Sequence, residues 1–290
     1  MTNCEARERR MRILLAGGAG AIGRQLTPAL VAAGHEVWAT SRDAGKASVI
    51  EATGARPLVM DVYDTESVEQ AFARSRPDAV LHELTALADL DFAANSRVRI
   101  EGTRTLVDAA RRHGVDRMIA QSISWVVPDG DTLATEDEPF AAGVTPGVPE
   151  LESTVLELPN GVVLRYGQFY GPGTWRAPGA PETLAALEGR LRPMARVIDF
   201  VHVADAASAT VLALDWPHGV VNIVDDEPAE AAQWMPVYAA AVGAPPPSIP
   251  SDLREGRPVS NALARSRGWR PRFSSWRQGF TLPEGGVAQP

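Results

Sequence analysis

Cysteine and lysine are nearly absent from this chain of 290 residues. Cys4 is the only cysteine, which excludes an intrachain disulfide and a cysteine-based metal site, so we predict no metal and a cytoplasmic location. Lys46 is the only lysine among 28 basic residues. Any chemistry that depends on a lysine amine elsewhere in the chain is therefore excluded.

Long apolar runs and excess positive charge are also missing. No run reaches the roughly 18 to 20 apolar residues of a membrane span, and residues 1–10 are too polar for a signal peptide. The net charge of −8 argues against a nucleic-acid or membrane surface. We expect no nucleic acid and no membrane among the partners, a flexible segment over residues 1–10, and a monomer or homodimer.

A glycine-rich turn near the start carries the strongest signal. The apolar run Arg12–Ala16 leads into Gly17, Gly20 and Gly23, and an apolar helical pattern follows. Glycines between a strand and a helix let backbone N–H groups approach a pyrophosphate at the helix N-terminus. The alternative is a glycine-rich turn without a ligand. We predict that the dinucleotide contacts these glycines together with Ala21 and Ile22.

Strand-like and helical segments alternate through the first two thirds of the chain, which predicts an α/β fold with a Rossmann-type doubly wound parallel sheet. The predicted strands are Arg12–Ala16, Glu36–Thr40, Arg56–Met60, Ala79–Leu81, Arg117–Gln121 and Val162–Tyr166. The predicted helices include Thr65–Arg74, Asn95–His113 and Glu150–Leu158. We assign residues 11–170 to a dinucleotide-binding domain and 171–290 mainly to a smaller substrate-binding region, with segments returning to the first domain.

The end of the second strand bears on the choice of cofactor. An acidic residue there would favour NAD, whereas Ser41 and Arg42 are suited to the 2′-phosphate of NADP(H). We favour NADP(H). A shift of one residue would instead place Asp43 on the ribose and favour NAD.

The ends of the third and fourth strands add further candidate contacts. Asp61 is predicted to accept from the adenine amino group while Val62 packs on the ring, and Asp64 or Thr65 caps the next helix. After the fourth strand, the predicted cofactor contacts are Leu84, Thr85 and Ala86. His82 is interpreted as a hydrogen-bonded structural residue.

Taken in order, these motifs resemble the extended short-chain dehydrogenase/reductase family, also called the NAD(P)-dependent epimerase/dehydratases. Further similar segments are Glu101–Ala110, Leu164–Gly173, Asp199–Asp205 and Val221–Val224. The resemblance covers nearly the whole chain. It implies that Tyr166 and Gln168, in the sixth-strand motif, also line the cofactor site.

The chain departs from this family at the catalytic pair. The family uses Tyr-x-x-x-Lys on the helix after the fifth strand, where the lysine lowers the pKa of the tyrosine. The resemblance puts Pro149 and Ser153 at these positions, and no tyrosine has a lysine four residues further on. What remains is Ser122 or Ser124, either of which is a candidate to hydrogen-bond a substrate carbonyl or to satisfy local backbone groups.

We therefore predict an oxidoreductase of atypical mechanism, similar to the ketoreductases of antibiotic tailoring pathways that act on angucyclinone-like polyketides. A hydroxyl beside the substrate carbonyl would assist its own reduction, with Ser124, Tyr170 or His202 as secondary proton donors. Tryptophans are candidates to hold a flat polycyclic substrate, or to pack in a core: Trp175, Trp234, Trp269 and Trp276.

Two other functions stay open. A protein that kept the fold after losing its chemistry would bind NADP(H) as a sensor or scaffold. An ordinary sugar-nucleotide epimerase or dehydratase is disfavoured, because oxidation of a hydroxyl needs a base and the usual base is absent.

Overall fold

Nine strands and eleven α-helices position the site in the computed structural model, which describes residues 10–87, 91–192, 197–249 and 256–281. The strands are β1 (Arg12–Ala16), β2 (Glu36–Ser41), β3 (Arg56–Val59), β4 (Ala79–His82), β5 (Arg117–Ile123), β6 (Asn160–Tyr166), β7 (Gln168–Tyr170), β8 (Phe200–His202) and β9 (Gly219–Ile223). The α-helices are α1 (Ala21–Ala32), α2 (Ala47–Glu51), α3 (Thr65–Ser75), α4 (Phe92–Arg97), α5 (Thr103–Arg112), α6 (Gly147–Val155), α7 (Pro181–Leu187), α8 (Val203–Ala213), α9 (Ala231–Val242), α10 (Ala262–Ser266) and α11 (Trp276–Thr281).

Seven parallel strands form the main sheet in the order β3-β2-β1-β4-β5-β6-β9. One face carries α1 and α8, and the other carries α3, α5 and α6. Both faces are buried, which explains why β1 and β4 read as continuous apolar runs. The predicted Rossmann-type fold is confirmed, and the carboxyl ends of the strands gather at one edge, where such sheets bind ligands.

The chain after β6 builds a second, aromatic core. Short parallel strands β7 and β8 pair with each other, and α7, α9 and α11 pack around them. A Cβ on Gly167 would lie 2.6 Å from the carbonyl oxygen of Asp199, so only glycine permits this close crossing. β9, from residues 219–223, joins the main sheet.

Two predicted helices differ from the observed ones. The continuous helix predicted over residues 95–113 is instead α4, a π-helical stretch at Val98–Gly102, and α5. α6 begins at Gly147, because Pro149 is tolerated in a first turn where its missing N–H has no intrahelical role. Strand ends differ from the predictions by one or two residues.

Among the described residues, no helix combines the length and the apolar character that crossing a membrane requires.

Candidate functional site

The glycine loop between β1 and α1 is shaped by close backbone contacts. Gly17 has φ +101°, and a Cβ there would lie 2.8 Å from the carbonyl oxygen of Glu83. A Cβ on Gly23 would lie 2.4 Å from the carbonyl oxygen of Gly17. Gly20 precedes the first turn of α1, in which Ala21, Ile22 and Gly23 have no intrahelical acceptor for their N–H groups. Gly20 N already donates to Gly17 O at 3.0 Å, so the free N–H donors of this cradle, suited to an anion, are those of Ala21, Ile22 and Gly23.

The residues after β2 include an exposed arginine and an aspartate whose carboxylate already accepts a hydrogen bond from backbone. β2 ends at Ser41, and Arg42 is exposed. Asp43 accepts from Gly45 N at 2.8 Å and caps a 3-10 turn, while its own N–H donates to Ser41 Oγ at 3.1 Å. Of the two alternatives left open by the sequence, this geometry favours Arg42 as the group that faces a ligand.

The segment after β3 corrects one predicted contact. Asp61 Oδ1 accepts from Tyr63 N at 3.0 Å, and the Arg97 guanidinium lies 4.1 Å from the Tyr63 ring centroid. Val62 is buried in the core, where a Cβ on Gly102 would contact it at 3.0 Å. The Val62 side chain is therefore not available to stack on an adenine ring, because the sheet-to-helix packing uses it. Of the two caps that the sequence left open, Asp64 is the one that caps α3, accepting from Glu66 N.

The loop after β4 is hydrogen-bonded to a neighbouring helix on one side and is partly exposed to solvent on the other. Leu84 and Ala86 are half-buried and Thr85 is exposed. Ala86 N donates to Asn95 Oδ1 at 3.1 Å, which ties the loop to α4. His82 Nε2 lies 3.0 Å from Thr103 Oγ1. Burial, followed by the charge of Arg99, lowers the pKa of His82 to about 4, so His82 is neutral and structural, as we interpreted it.

The sixth-strand motif requires a second correction. The Tyr166 side chain is buried, its hydroxyl lies 2.6 Å from Thr210 Oγ1, and its carbonyl accepts from Ser124 N. Tyr166 therefore belongs to the core under α8 rather than to the open crevice. Gln168 is half-buried, and its amide oxygen accepts from the Arg176 guanidinium at 2.8 Å.

A buried carboxyl group next to the glycine loop escaped the sequence analysis. Glu83 is 4 % exposed, and the Tyr166 hydroxyl is the one described side chain that interacts with its carboxyl group, without a well-aligned hydrogen bond to either oxygen. Burial raises the pKa of Glu83 well above its ordinary value, so the fold favours the protonated form of this carboxyl group.

The two candidate serines at the end of β5 have different surroundings. Ser122 is buried and donates to Glu152 Oε1 at 2.6 Å. Arg165 binds the same carboxylate through Nε at 2.9 Å and Nη2 at 2.8 Å. The single Ser122 proton is therefore committed to Glu152. Ser124 is also buried, but its Oγ has no partner among the described residues.

Helix α6 carries neither a phenol nor an amine, since its sequence is GVPELESTV. Pro149 is half-buried, and Ser153 is exposed with its Oγ donating to Glu150 O. The side chain that α6 directs toward β5 and β6 is Glu152. Nothing in the sequence signals this role, because a glutamate in a helix is usually solvated.

The predicted secondary donors and aromatic surface are largely structural. Tyr170 is buried, and burial raises its pKa far above the ordinary value of a phenol. His202 caps α8 by accepting from Ala204 N, and burial lowers its pKa to about 4. Three of the four tryptophans pack in cores, and only Trp175 is half-buried. The core packing, rather than substrate binding, accounts for Trp234, Trp269 and Trp276.

Comparison with known proteins assigns the family. The model of the NAD dependent epimerase/dehydratase family matches residues 13–224, and this chain belongs to that family. The chain is 40% identical to a 3-diazoavenalumate denitrifying reductase from a Streptomyces species, over 93% of this chain and 99% of the relative. It is 35% identical to a 4-hydroxy-2-methyl-3-oxo-4-farnesyl-3,4-dihydroquinoline-1-oxide ketoreductase from Stigmatella aurantiaca, over only 44% of this chain and 38% of that relative.

Solved structures agree with this assignment. A Thermus thermophilus UDP-glucose 4-epimerase in complex with NAD superposes with a TM-score of 0.77 at 26% identity, covering 94% of this chain and 97% of that one. A Thermotoga maritima UDP-glucose 4-epimerase with UDP-glucose shares the fold at a TM-score of 0.76 and 23% identity, covering 93% of this chain and 96% of that one. The homologues are reductases and epimerases, which supports an oxidoreductase.

Proposed function

We propose that this protein is an NADPH-dependent reductase that transfers a hydride to an aromatic substrate without a protein tyrosine–lysine pair. The proposal is supported mainly by which hydrogen-bonding and acidic groups the site contains and which it lacks. A cradle for a dinucleotide follows β1 at the edge of the sheet where β5 also ends, Ser124 after β5 has a hydroxyl without a partner among the described residues, and α6 offers neither a phenol nor an amine. Such a site favours hydride acceptors that need no acid from the protein.

The residues present fit a dinucleotide. A side chain at Gly17 or Gly23 would clash with backbone, which keeps the loop tight against the start of α1, and the first turn of α1 supplies N–H donors to a pyrophosphate. The exposed Arg42, with the Asp43 carboxylate engaged in a cap, supports NADPH over NADH. When bound, the dinucleotide would supply the hydride.

An aromatic diazo or diazonium compound is the substrate class that best matches a site without an acid. Hydride addition to the terminal nitrogen of an aryl diazonium ion gives an aryl diazene, which loses N2 and leaves a C–H bond. Neither step produces an alkoxide that must be protonated. The 40% identity to a denitrifying reductase of a diazo compound, over nearly the full length of both chains, supports this class.

A hydroxy-aryl ketone, such as an angucyclinone-like polyketide in antibiotic biosynthesis, is the second candidate. Its reduction creates an alkoxide, which an adjacent substrate hydroxyl would stabilise by an internal hydrogen bond, with water completing the protonation. The match to a ketoreductase of a fused-ring compound supports this candidate over part of the chain. Ser124, whose Oγ has no partner among the described residues, is then the candidate protein hydroxyl to contact the carbonyl.

The test is NADPH oxidation by the purified protein with two substrate panels. One contains 4-hydroxybenzenediazonium and related aryl diazonium ions, and the other contains hydroxy-aryl polycyclic ketones. Product analysis separates arene plus N2 from secondary alcohol. Gly23→Ala, which closes the cradle, is the matched control for enzyme-independent reduction.

Turnover on the diazonium panel that Gly23→Ala abolishes would support denitrifying reduction, and turnover only on the ketones would support the second candidate. NADPH binding with no turnover on either panel would refute the reductase proposal. That result would favour the sensor or scaffold function.

A further inference from the structure

One buried cation in the site is unused by the proposed function. Arg99 lies in the π-helical stretch between α4 and α5 and is 7 % exposed. Its guanidinium makes no hydrogen bond and no ion pair with any residue in the described part of the chain, and Glu152 acts on it only as a nearby charge. π-helical turns within α-helices frequently occur at functional sites, because the extra residue redirects a side chain.

The surroundings of Arg99 place it at the carboxyl ends of β4 and β5. The charge of Arg99 acts on His82, the last residue of β4, and Glu152, which binds Ser122 of β5, acts on Arg99. A Cβ on Gly147 would lie 3.2 Å from the Arg99 Cβ. Because Gly147 has no side chain, the start of α6 leaves space in which Arg99 packs.

The charges in this region do not balance. Glu152 is the carboxylate whose charge acts on Arg99, and its two oxygens already accept from Ser122 and from Arg165. His82 is neutral, since burial and Arg99 lower its pKa to about 4. Among the described residues, the guanidinium groups of Arg99 and Arg165 therefore share the single negative charge of Glu152. A buried charge without a counter-charge is costly, and an anionic ligand relieves that cost.

We propose that Arg99 contacts the anionic oxygen of the substrate. This inference rests on the proposed function, and it names the group that the site offers in place of an acid. Hydride addition to a hydroxy-substituted diazonium ion, in its neutral quinone-diazide form, moves negative charge onto the ring oxygen. Hydride addition to a ketone moves it onto the carbonyl oxygen. In both cases a preorganised cation stabilises the charge as it develops, and no proton leaves the protein.

The experiment measures the ionisation of a bound phenol. The probe is 4-nitrophenol, whose phenolate absorbs visible light, titrated into the protein with NADP+ across a range of pH. The proposal predicts that the wild-type protein binds the phenolate at least about tenfold more tightly than the phenol, which lowers the pKa of the bound probe by about one unit. The measurement involves no turnover, so its outcome is independent of whether NADPH is oxidised.

Three variants make the test specific to Arg99. Arg99→Gln abolishes the preference for the phenolate, Arg99→Lys retains part of it, and Arg112→Gln leaves it unchanged. Arg112 is the matched control because it is exposed, follows in α5 and pairs with Glu69. A wild-type protein with no binding or no preference, or a preference that survives Arg99→Gln, would overturn the proposal. An equal loss of NADPH affinity in Arg99→Gln would assign Arg99 to the dinucleotide and overturn it as well.

Discussion

The two sides of the site are built by different parts of the polypeptide. On the dinucleotide side, Gly17 and Gly23 lie so close to backbone atoms that a Cβ at either position would clash with them. On the side of β5 and α6, side chains from distant segments meet, with Ser122, Glu152 and Arg165 joined in one buried cluster. The difference shows that one half of the site is fixed by local sequence and the other only by tertiary structure. Substitutions in the two halves should therefore differ in their effects on stability and on NADPH affinity.

The largest effect is expected from Glu152→Gln, in the side-chain half. The substitution leaves Arg165 and Arg99 buried without a carboxylate, which we expect to lower the free energy of unfolding by about 3–5 kcal/mol. Urea denaturation followed by circular dichroism measures the change. Glu157→Gln is the control, because Glu157 is half-exposed and pairs with Arg104 and Arg111, and the expected loss is within about 1 kcal/mol. Equal losses in the two variants would remove the distinction between the buried cluster and a surface pair.

Gly23→Ala challenges the backbone half. The added Cβ would lie 2.4 Å from the Gly17 carbonyl oxygen and 2.7 Å from that of Gly18, so the loop must move. We expect the Kd for NADPH to rise about 100-fold, equivalent to ~2.7 kcal/mol. Fluorescence titration with NADPH measures the Kd. Gly34→Ala adds a Cβ in open space at φ +89° and should reduce stability without altering NADPH binding. Unchanged affinity in Gly23→Ala would show that the loop does not bind the dinucleotide.

Arg42→Ala tests the one side chain assigned to the dinucleotide half. A charge-assisted contact to the 2′-phosphate contributes about 1.5–3 kcal/mol, so the Kd for NADPH should rise about ten- to a hundred-fold while that for NADH changes little. Asp43→Asn is the partner variant, and it should leave both affinities near the wild-type values, because Asp43 caps the following turn. A gain in NADPH affinity on Asp43→Asn would instead support the one-residue shift that favours NAD.

Glu83→Gln has a small effect on stability near pH 5 and a distinctive pH dependence above it. Because burial raises the pKa of Glu83 above the ordinary 4.5, the unfolded chain releases its proton first as the pH rises. The free energy of unfolding therefore falls by up to about 1.4 kcal/mol per pH unit above that value, until the pH reaches the pKa of the folded state. Glu83→Gln should remove this slope, so the stability of the variant relative to the wild type increases as the pH rises above 4.5 toward the pKa of the folded state.

Urea denaturation at several pH values tests this prediction. Asp199 and Asp225 contribute slopes of the same sign, since burial raises their pKa values to about 7 and about 9, so the comparison is between variants rather than with a flat profile. Glu51→Gln, at an exposed position, is the control. A difference between Glu83→Gln and wild type that is constant with pH would contradict a protonated Glu83.

The sequence predicts the parts of the molecule that depend on local pattern. The alternation of apolar runs and helices identified the main sheet through β6, and the glycine spacing identified the loop at Gly17–Gly23. Asp64 was predicted as a cap because capping is a contact within three residues. Each of these features is set by neighbours along the chain.

The remaining features depend on contacts between distant segments. Val62 and Tyr166 follow the family motif, but their side chains face the core, a choice set by helices that pack on the sheet. Glu152 and Arg165 look like solvated charges in the sequence, and only the pairing of α6 with β6 buries them together. The direction of the Arg99 side chain depends on the π-helical stretch. In the sequence, the spacing of apolar residues does not distinguish this stretch from an α-helix.

The most direct test of the central claim, hydride transfer without a proton donor from the protein, is a pair of isotope effects on a single turnover. The reaction is run with NADPH deuterated at the transferred position, and separately in D2O, using whichever panel substrate turns over. The account predicts a primary isotope effect from the deuterated NADPH and a solvent isotope effect near unity on the same step. A large solvent isotope effect on that step would show a proton moving together with the hydride, and would contradict the account.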